Sequence, residues 1–414
     1  MRKQGKVLEN IFSLLSLRGA EYIIAFVTLP YLLRVLGPDR YGAVVFAQAV
    51  INYGILVADY GFNLTAPRDI AKADKSDLPQ QVRAIMVAKI LLLIAVLLIG
   101  GSIVCLIPYK FDCGLLLCTL PLLIGNVLFP VWYFQGIQEM RFITFFNLAA
   151  RIVSVVGIFT LVNTKNDYML AAFLQSIVPL IAGIIAITVL AIKTPELFGV
   201  PDYKLVLDKF EEGWDIFIST LFINLYTNSN IFILGIMTND VVVGYYAAAN
   251  KLIEAVKGLM MPISNAVFPH VSVLFKESRE GAIVFLQKVL RFMGAGSLLA
   301  SLLVCVFAEE IVGLIMGDAY EESILILRII SFLPSIICLS NIFGIQTMVA
   351  FGMQRTFSRI LMFSALLNFI LIYPLIYTGQ AIGLAINTVI VEMFVTVSMY
   401  FVLQKNNIHL ICRK

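Results

Sequence analysis

Long apolar stretches separated by short polar turns dominate this sequence. A helix of about 20 apolar residues crosses the hydrocarbon core of a bilayer. Twelve segments reach that length, at roughly 11–36, 41–63, 82–108, 113–135, 142–163 and 168–192, then 214–237, 242–269, 282–308, 322–350, 357–378 and 380–404. Turn residues such as Gly37-Pro38-Asp39-Arg40 and the run 163–167 punctuate them. The pattern predicts an all-α polytopic membrane protein with twelve transmembrane helices in two six-helix lobes. The first segment carries Arg18, Glu21 and Arg34 and has no small-residue cleavage pattern, so it is expected to stay in the protein as a span.

Composition narrows the class further. Of 414 residues, 60% are apolar and only 14% charged, with a mean hydropathy of +0.94. That leaves too little polar surface to cover a water-facing globule. The net charge of +4 matters less than its placement. With a cytoplasmic N-terminus, the inner segments hold 17 of the 30 Lys and Arg residues, counting Arg83 at the inner edge of its span; the outer loops hold Arg40, Lys110 and Lys165, and the other ten lie within spans. This asymmetry predicts that both termini are cytoplasmic. The domain expectation is an N-lobe over 1–200, an amphipathic cytoplasmic linker over 201–213 and a C-lobe over 214–414. In the linker, Tyr203, Val206, Leu207 and Phe210 follow helical spacing, with Lys204, Asp208, Lys209 and Glu211 on other faces. A helix lying on the membrane surface and a structured hinge both fit. Tyr41-Gly42 through Gln48 and Val243-Gly244 through Asn250 each open the second span of their half, which suggests a pseudo-symmetric parallel repeat. The six cysteines show no CxxC and no ligand-like spacing with the two histidines, so no metal site is expected.

Ionisable groups inside a bilayer are costly and normally face a bundle interior or a wet cavity. The eighth span places Asn250, Lys251, Glu254, Lys257, Gly258, Met261 and Asn265 at helical spacing. Gln48, Asn52, Asp59 and Asn63 are spaced 4, 7 and 4 apart in the second span. Arg18 and Glu21 share a face of the first, and the seventh contributes Asn224, Thr227, Asn228 and Asn230. These stripes predict a central hydrophilic cavity between the lobes, amide-rich and net positive. Arg18, Lys251, Lys257 and Arg151 are its candidate cations for a phosphate or other anion. Gln48, Asn52, Asn63, Asn224, Asn228, Asn250 and Asn265 are candidate partners for sugar hydroxyls. Glu21, Asp59, Glu254 and Glu392 are candidates for ion coupling. Lys89, Lys288, Arg291, Arg328 and Arg359 lie in end turns, where snorkelling to the interface is expected.

The stretches Thr28–Gly37, Tyr41-Gly42, Phe46–Ala49, Asp59-Tyr60-Gly61-Phe62 and Ala66–Ala71 resemble the N-terminal signature of Wzx-type O-antigen and capsule flippases. These form the polysaccharide-transport branch of the multidrug/oligosaccharidyl-lipid/polysaccharide (MOP) superfamily. Val243–Lys251, Pro262, Asn265, Pro269 and Gly317–Tyr320 resemble its second-lobe pattern. The resemblance spans essentially the whole chain. It implies a MATE-like fold of two lobes around a central cavity and a bacterial inner-membrane location. It further implies flipping of an undecaprenyl-diphosphate-linked oligosaccharide by alternating access, coupled to a proton or sodium gradient, with no cofactor. Membrane lipids are implied partners, and polymerase and other glycan-assembly proteins are candidate ones.

Two rival readings are weaker. A cation-coupled drug exporter of the same fold wants a negative cavity, whereas the deep charge here is positive. A polymerase or ligase needs large outer loops with catalytic groups, and no outer loop exceeds about fifteen residues. Phosphate-cradling Gly-rich loops, HExxH and GxSxG are absent from the sequence, and no nucleic-acid partner is expected.

Overall fold

A computed structural model describes the backbone of residues 2–74, 76–107, 111–227 and 229–410. It describes the side chains of the same segments apart from 2–23, 25, 222–223, 225–227, 262 and 265–266. Helices dominate, and no strand occurs among the described residues. The chain divides into two compact units, Met1–Leu225 and Tyr226–Lys414.

The first unit contains α1 (Arg2–Asp59), α2 (Phe62–Lys72), α3 (Leu78–Leu106), α4 (Cys113–Leu128), α5 (Val131–Gly136), α6 (Met140–Leu161), α7 (Tyr168–Ser176) and α8 (Val178–Lys193). The α1 path bends at Gly37, whose φ of 71° suits glycine, and Pro38 removes the next backbone donor. Proline or glycine also marks the breaks before α5, at Pro130, and around Pro179 at the start of α8. Two apolar clusters fill the unit. Phe62, Ile85, Trp132, Phe134 and Phe146 belong to one, and Val44, Ile51, Leu115 and Leu123 to the other.

Helix α9 (Tyr203–Thr227) runs from the first unit up to its border with the second. The second unit holds α10 (Ser229–Met237), α11 (Asp240–Glu277), α12 (Arg279–Val306), α13 (Ala308–Ile315), α14 (Glu322–Ile330) and α15 (Leu333–Asn341). A π-helix follows over Ile342–Val349, then α16 (Gln354–Lys405), which reverses at Gln380. Its core joins Val271, Leu286, Phe343, Met348, Val395 and Met399. Outward side chains on both units are apolar, as bilayer-facing helices require: Leu98 is 68% exposed and Phe292 77%.

Eight helical stretches among the described residues are long and apolar enough to cross a membrane. Two of them are broken: Gln354–Lys405, at Gln380, covers two expected spans, and Phe26–Lys72, at Gly37, covers 41–63 and the end of 11–36. The other expected spans, 214–237 and 242–269, fall on α9–α10 and α11, which include residues without described side chains. The chain is a multi-pass helical membrane protein.

Four expectations change. The second span was expected to run helically through Asn63, but α1 ends at Asp59. Tyr60 and Gly61 then take left-handed φ values of 51° and 81°. Asn63 therefore belongs to α2, is exposed, and leaves the stripe of Gln48 and Asn52. Lys89 does not snorkel; it is 2% exposed, because Asp59 supplies its counter-charge inside the bundle. In the linker, Lys209 was assigned to a polar face but is 5% exposed. The buried face is Val206, Lys209 and Gly213, with Phe210 half-buried, whereas Tyr203 and Leu207 point outward. The linker is also not a separate short helix: it is the first part of the 25-residue α9.

Candidate functional site

The last turn of α1 and the first of α2 organise one end of the first unit. Lys89 Nζ on α3 lies 3.1 Å from Asp59 Oδ1, with side-chain exposures of 3% and 19%. Such a charge so far from water persists because its partner is in hydrogen-bond contact. One residue on, the strained Tyr60 backbone turns its ring toward α9. The Tyr60 hydroxyl donates to the Phe210 carbonyl at 3.2 Å, and its ring stacks on Phe217 with centroids 4.7 Å apart. A Cβ on Gly61 would stand 2.7 Å from Ile216 Cγ2, and one on Gly213 would stand 2.9 Å from the Tyr60 ring. Both glycines are therefore demanded by the close approach of α1 and α9.

A charged clasp lies alongside. Lys209 Nζ donates to Asp69 Oδ2 at 2.8 Å and to Glu212 Oε2 at 3.0 Å. Burial works against the ammonium, yet its bonds to Asp69 and Glu212 outweigh that and hold it above the usual lysine range. Arg68 also reaches Asp69, at 3.4 Å. The segment 59–69, singled out as a family-like signature, thus fastens α2 and α9 to the bundle.

In the second unit, α11 carries the polar stripe. Lys251 Nζ is 3.6 Å from Glu254 Oε2, with side chains 54% and 47% exposed. Asn250 Nδ2 donates to Glu254 Oε1 at 3.2 Å. Glu254 is thereby engaged twice. Lys257, half-buried one turn further on, has no ion-pair partner among the described residues. Lys251, Glu254 and Lys257 together carry one net positive charge. Further along α11, Ser264 donates to Asn341 Oδ1 at 2.6 Å, and Gln346 Nε2 reaches the Ser264 hydroxyl at 2.8 Å. Gln346 is 1% exposed and sits in the π-helix. Tyr246 and Asn230 meet at the Thr388 hydroxyl, each at 3.3 Å. Asn387 Nδ2 donates to Asn368 Oδ1 at 2.6 Å across the two arms of α16. Asn230 stands in the polar stripe of the seventh span, but the sequence does not anticipate its pairing or the other networks, because their partners lie far apart in sequence.

The remaining candidates are dispersed. Gln48 and Asn52 lie on α1, Asn52 exposed, and Arg151 is half-buried on α6. Asn224 Nδ2 bonds back to the Thr220 carbonyl at 2.9 Å. Glu392 is half-buried on α16, and its carbonyl accepts a bond from Thr396. The side chains of Arg18, Glu21, Asn228 and Asn265 lie outside the described residues.

This arrangement matches known proteins over its whole length. Residues 7–275 match the family described as "Polysaccharide biosynthesis protein". The chain belongs to this family. It is 34% identical over 97% of its length to the "Putative O-antigen transporter" of Escherichia coli (strain K12), covering 98% of that protein. It is 28% identical over 94% of its length to the protein of the same name from Shigella dysenteriae, again covering 98%. Among solved structures, the lipid II flippase MurJ in an inward closed conformation superposes with a TM-score of 0.74. The identity is 12%, and 95% of this chain and 87% of that one are covered. An inward-facing multidrug resistance MATE family transporter of the MOP superfamily gives 0.72 at 14% identity, covering 92% and 94%. These likenesses show that the chain shares the fold of these two transporters.

Proposed function

We propose that this chain flips a lipid-linked oligosaccharide, an O-antigen or capsule repeat unit on undecaprenyl diphosphate, from the inner to the outer leaflet of a bacterial inner membrane. The observation that carries this reading is the 34% identity to a named O-antigen transporter over essentially both full lengths. The net-positive α11 stripe supports it chemically. Lys251 and Lys257 are the described cations suited to the diphosphate, with Arg18 and Arg151 as further candidates. Asn250, Gln48, Asn52 and Asn224 offer amides to sugar hydroxyls. Transport proceeds by alternating exposure of the substrate site to the two membrane faces and draws on a proton or sodium gradient. Glu254 and Glu392 are the described acids proposed to take part in that coupling. Both termini are cytoplasmic in this reading, and the protein works as a transporter alongside glycan-assembly proteins such as a polymerase.

Disruption of the gene in its host tests the proposal. Lipid-diphosphate-linked repeat units should accumulate in the inner leaflet while the corresponding surface polysaccharide disappears. Normal surface polysaccharide with no accumulation would refute it.

A further inference from the structure

Both units pair some cations internally: in the second, Lys251 meets Glu254 and Arg328 meets Glu309. The first unit pairs Arg40, Arg68, Lys89, Arg141 and Lys209 with its own carboxylates. At one membrane face of the second unit, Arg279, Lys288, Arg291, Arg355, Arg359 and Lys405 are all exposed, and none forms an ion pair among the described residues. They share a face because successive spans alternate direction: α12 leaves it, the stretch Glu322–Val349 returns to it, and the two arms of α16 leave and return again. Arg279 Nη2 donates to the Asn406 carbonyl at 3.1 Å, and Gln287 Nε2 to the His409 carbonyl at 2.8 Å, which ties the start of α12 to the chain after α16. Glu277 and Glu280 also lie at this end, and neither forms an ion pair among the described residues.

The depth of three of these cations is informative. Lys288 and Arg291 stand on an exposed face of α12 just before the stretch from Phe292 to Val306, which carries no charged residue. Arg359 holds the same position on α16, ahead of the run from Ile360. Beside them, Phe292, Met362 and Phe363 are 77%, 65% and 57% exposed. Unpaired cations at the polar edge of exposed apolar side chains complement a phospholipid: phosphate against the ammonium and guanidinium groups, acyl chain against the rings and thioether.

We propose that this face of the second unit binds anionic phospholipid of the bilayer, with Lys288, Arg291 and Arg359 as the headgroup contacts. The missing counter-charge is supplied by the membrane. The inference is independent of the transported substrate, since it uses none of the residues assigned to that site.

Native mass spectrometry of the full-length protein, released from nanodiscs of equimolar phosphatidylcholine and phosphatidylglycerol, provides the test. Phosphatidylglycerol should be retained at least about tenfold over phosphatidylcholine. Lys288→Gln/Arg291→Gln/Arg359→Gln should bring the ratio near parity; these side chains are outside the core, so folding is preserved. Removing three exposed cations from the first unit, Lys72→Gln/Lys193→Gln/Lys204→Gln, should leave the ratio unchanged, and excess inorganic phosphate should not displace the lipid. Parity in the wild type, an equal loss in the first-unit variant, or displacement by phosphate would each overturn the proposal.

Discussion

The Asp59–Lys89 pair offers the sharpest quantitative test of how the first unit is held together. Removing one member of a buried ion pair costs about 3–5 kcal/mol, because the other is left charged and uncompensated. The two members are not equally buried: the Lys89 side chain is 3% exposed and that of Asp59 19%. Asp59→Leu strands the deeper charge and should fall near the upper end of that range, whereas Lys89→Met leaves a carboxylate that solvent partly reaches and should fall near ~3 kcal/mol. Replacing both with apolar residues of similar size should be close to neutral, so the double variant should be more stable than either single one. The assay is a double-mutant cycle on denaturant unfolding in mixed micelles, with flipping measured on the same samples. A coupling energy of at least ~2 kcal/mol is expected, with transport restored in the double variant. Additivity within about 0.5 kcal/mol would refute the pairing. A stable double variant without transport would instead assign Asp59 to ion handling.

Other perturbations read different parts of the structure. Lys209 is held above its usual range in the fold, so the clasp stabilises fully below the ordinary lysine value of about 10.4 and is lost only as pH rises through the higher folded value. Unfolding of the wild type minus that of Lys209→Met should therefore be flat from neutral to mildly alkaline pH and shrink only beyond it; a decline already at neutral pH would contradict the clasp. Gly61→Ala should destabilise by roughly 1–3 kcal/mol, since alanine resists a φ of 81° and its Cβ meets Ile216. Ile216→Ala in the same chain should recover part of that loss in a thermal melt, and no recovery would mean the close approach is not the cause. Asp167 accepts bonds from the Asn163 and Thr164 backbone and from the Thr164 hydroxyl, which lowers its pKa. Its contribution is present above the ordinary carboxylate range and fades as pH falls through the lowered value, so Asp167→Asn should matter at neutral pH and not in strong acid. In transport, Lys257→Ala should slow flipping more than Lys251→Ala, because Glu254 already balances Lys251; roughly a tenfold loss for Lys257 is expected from one charge-assisted contact, and equal effects would argue against this charge balance.

The membrane class, the spans and the positive stripe on α11 were legible because each follows from periodicity over many residues. Asn250, Lys251, Glu254 and Lys257 lie on one long helix, and helical spacing suffices to group them. The breaks at Gly37 and Gln380 fall where the spans were separated, but the one after Asp59 was not legible. Nothing in the spacing of Gln48, Asn52, Asp59 and Asn63 reveals that Tyr60 adopts a positive φ, and a single left-handed turn rotates everything after it. Lys89 and Lys209 were misplaced for a related reason. A lysine in an end turn or beside an amphipathic stripe looks solvated until a carboxylate from another helix is known to meet it. The signal that did exist was the run Asp59-Tyr60-Gly61: an acid, an aromatic and a glycine at a helix end mark a turn that brings a charge and a ring inward. Pairings such as Asn368 with Asn387, or Ser264 with Asn341 and Gln346, join residues 19 to 82 positions apart, and only the fold brings them together.

A leaflet-accessibility assay in proteoliposomes bears most directly on the proposed activity. Purified protein is reconstituted with a fluorescent undecaprenyl-diphosphate oligosaccharide, and an impermeant quencher reports the fraction in the outer leaflet over time, with and without proton or sodium gradients. Fluorophore should cross at a rate that depends on the protein and rises with a gradient, and a fluorescent cationic drug should not be moved. Movement of the drug with no movement of the lipid-linked sugar would contradict the proposal and support a multidrug exporter on the same fold.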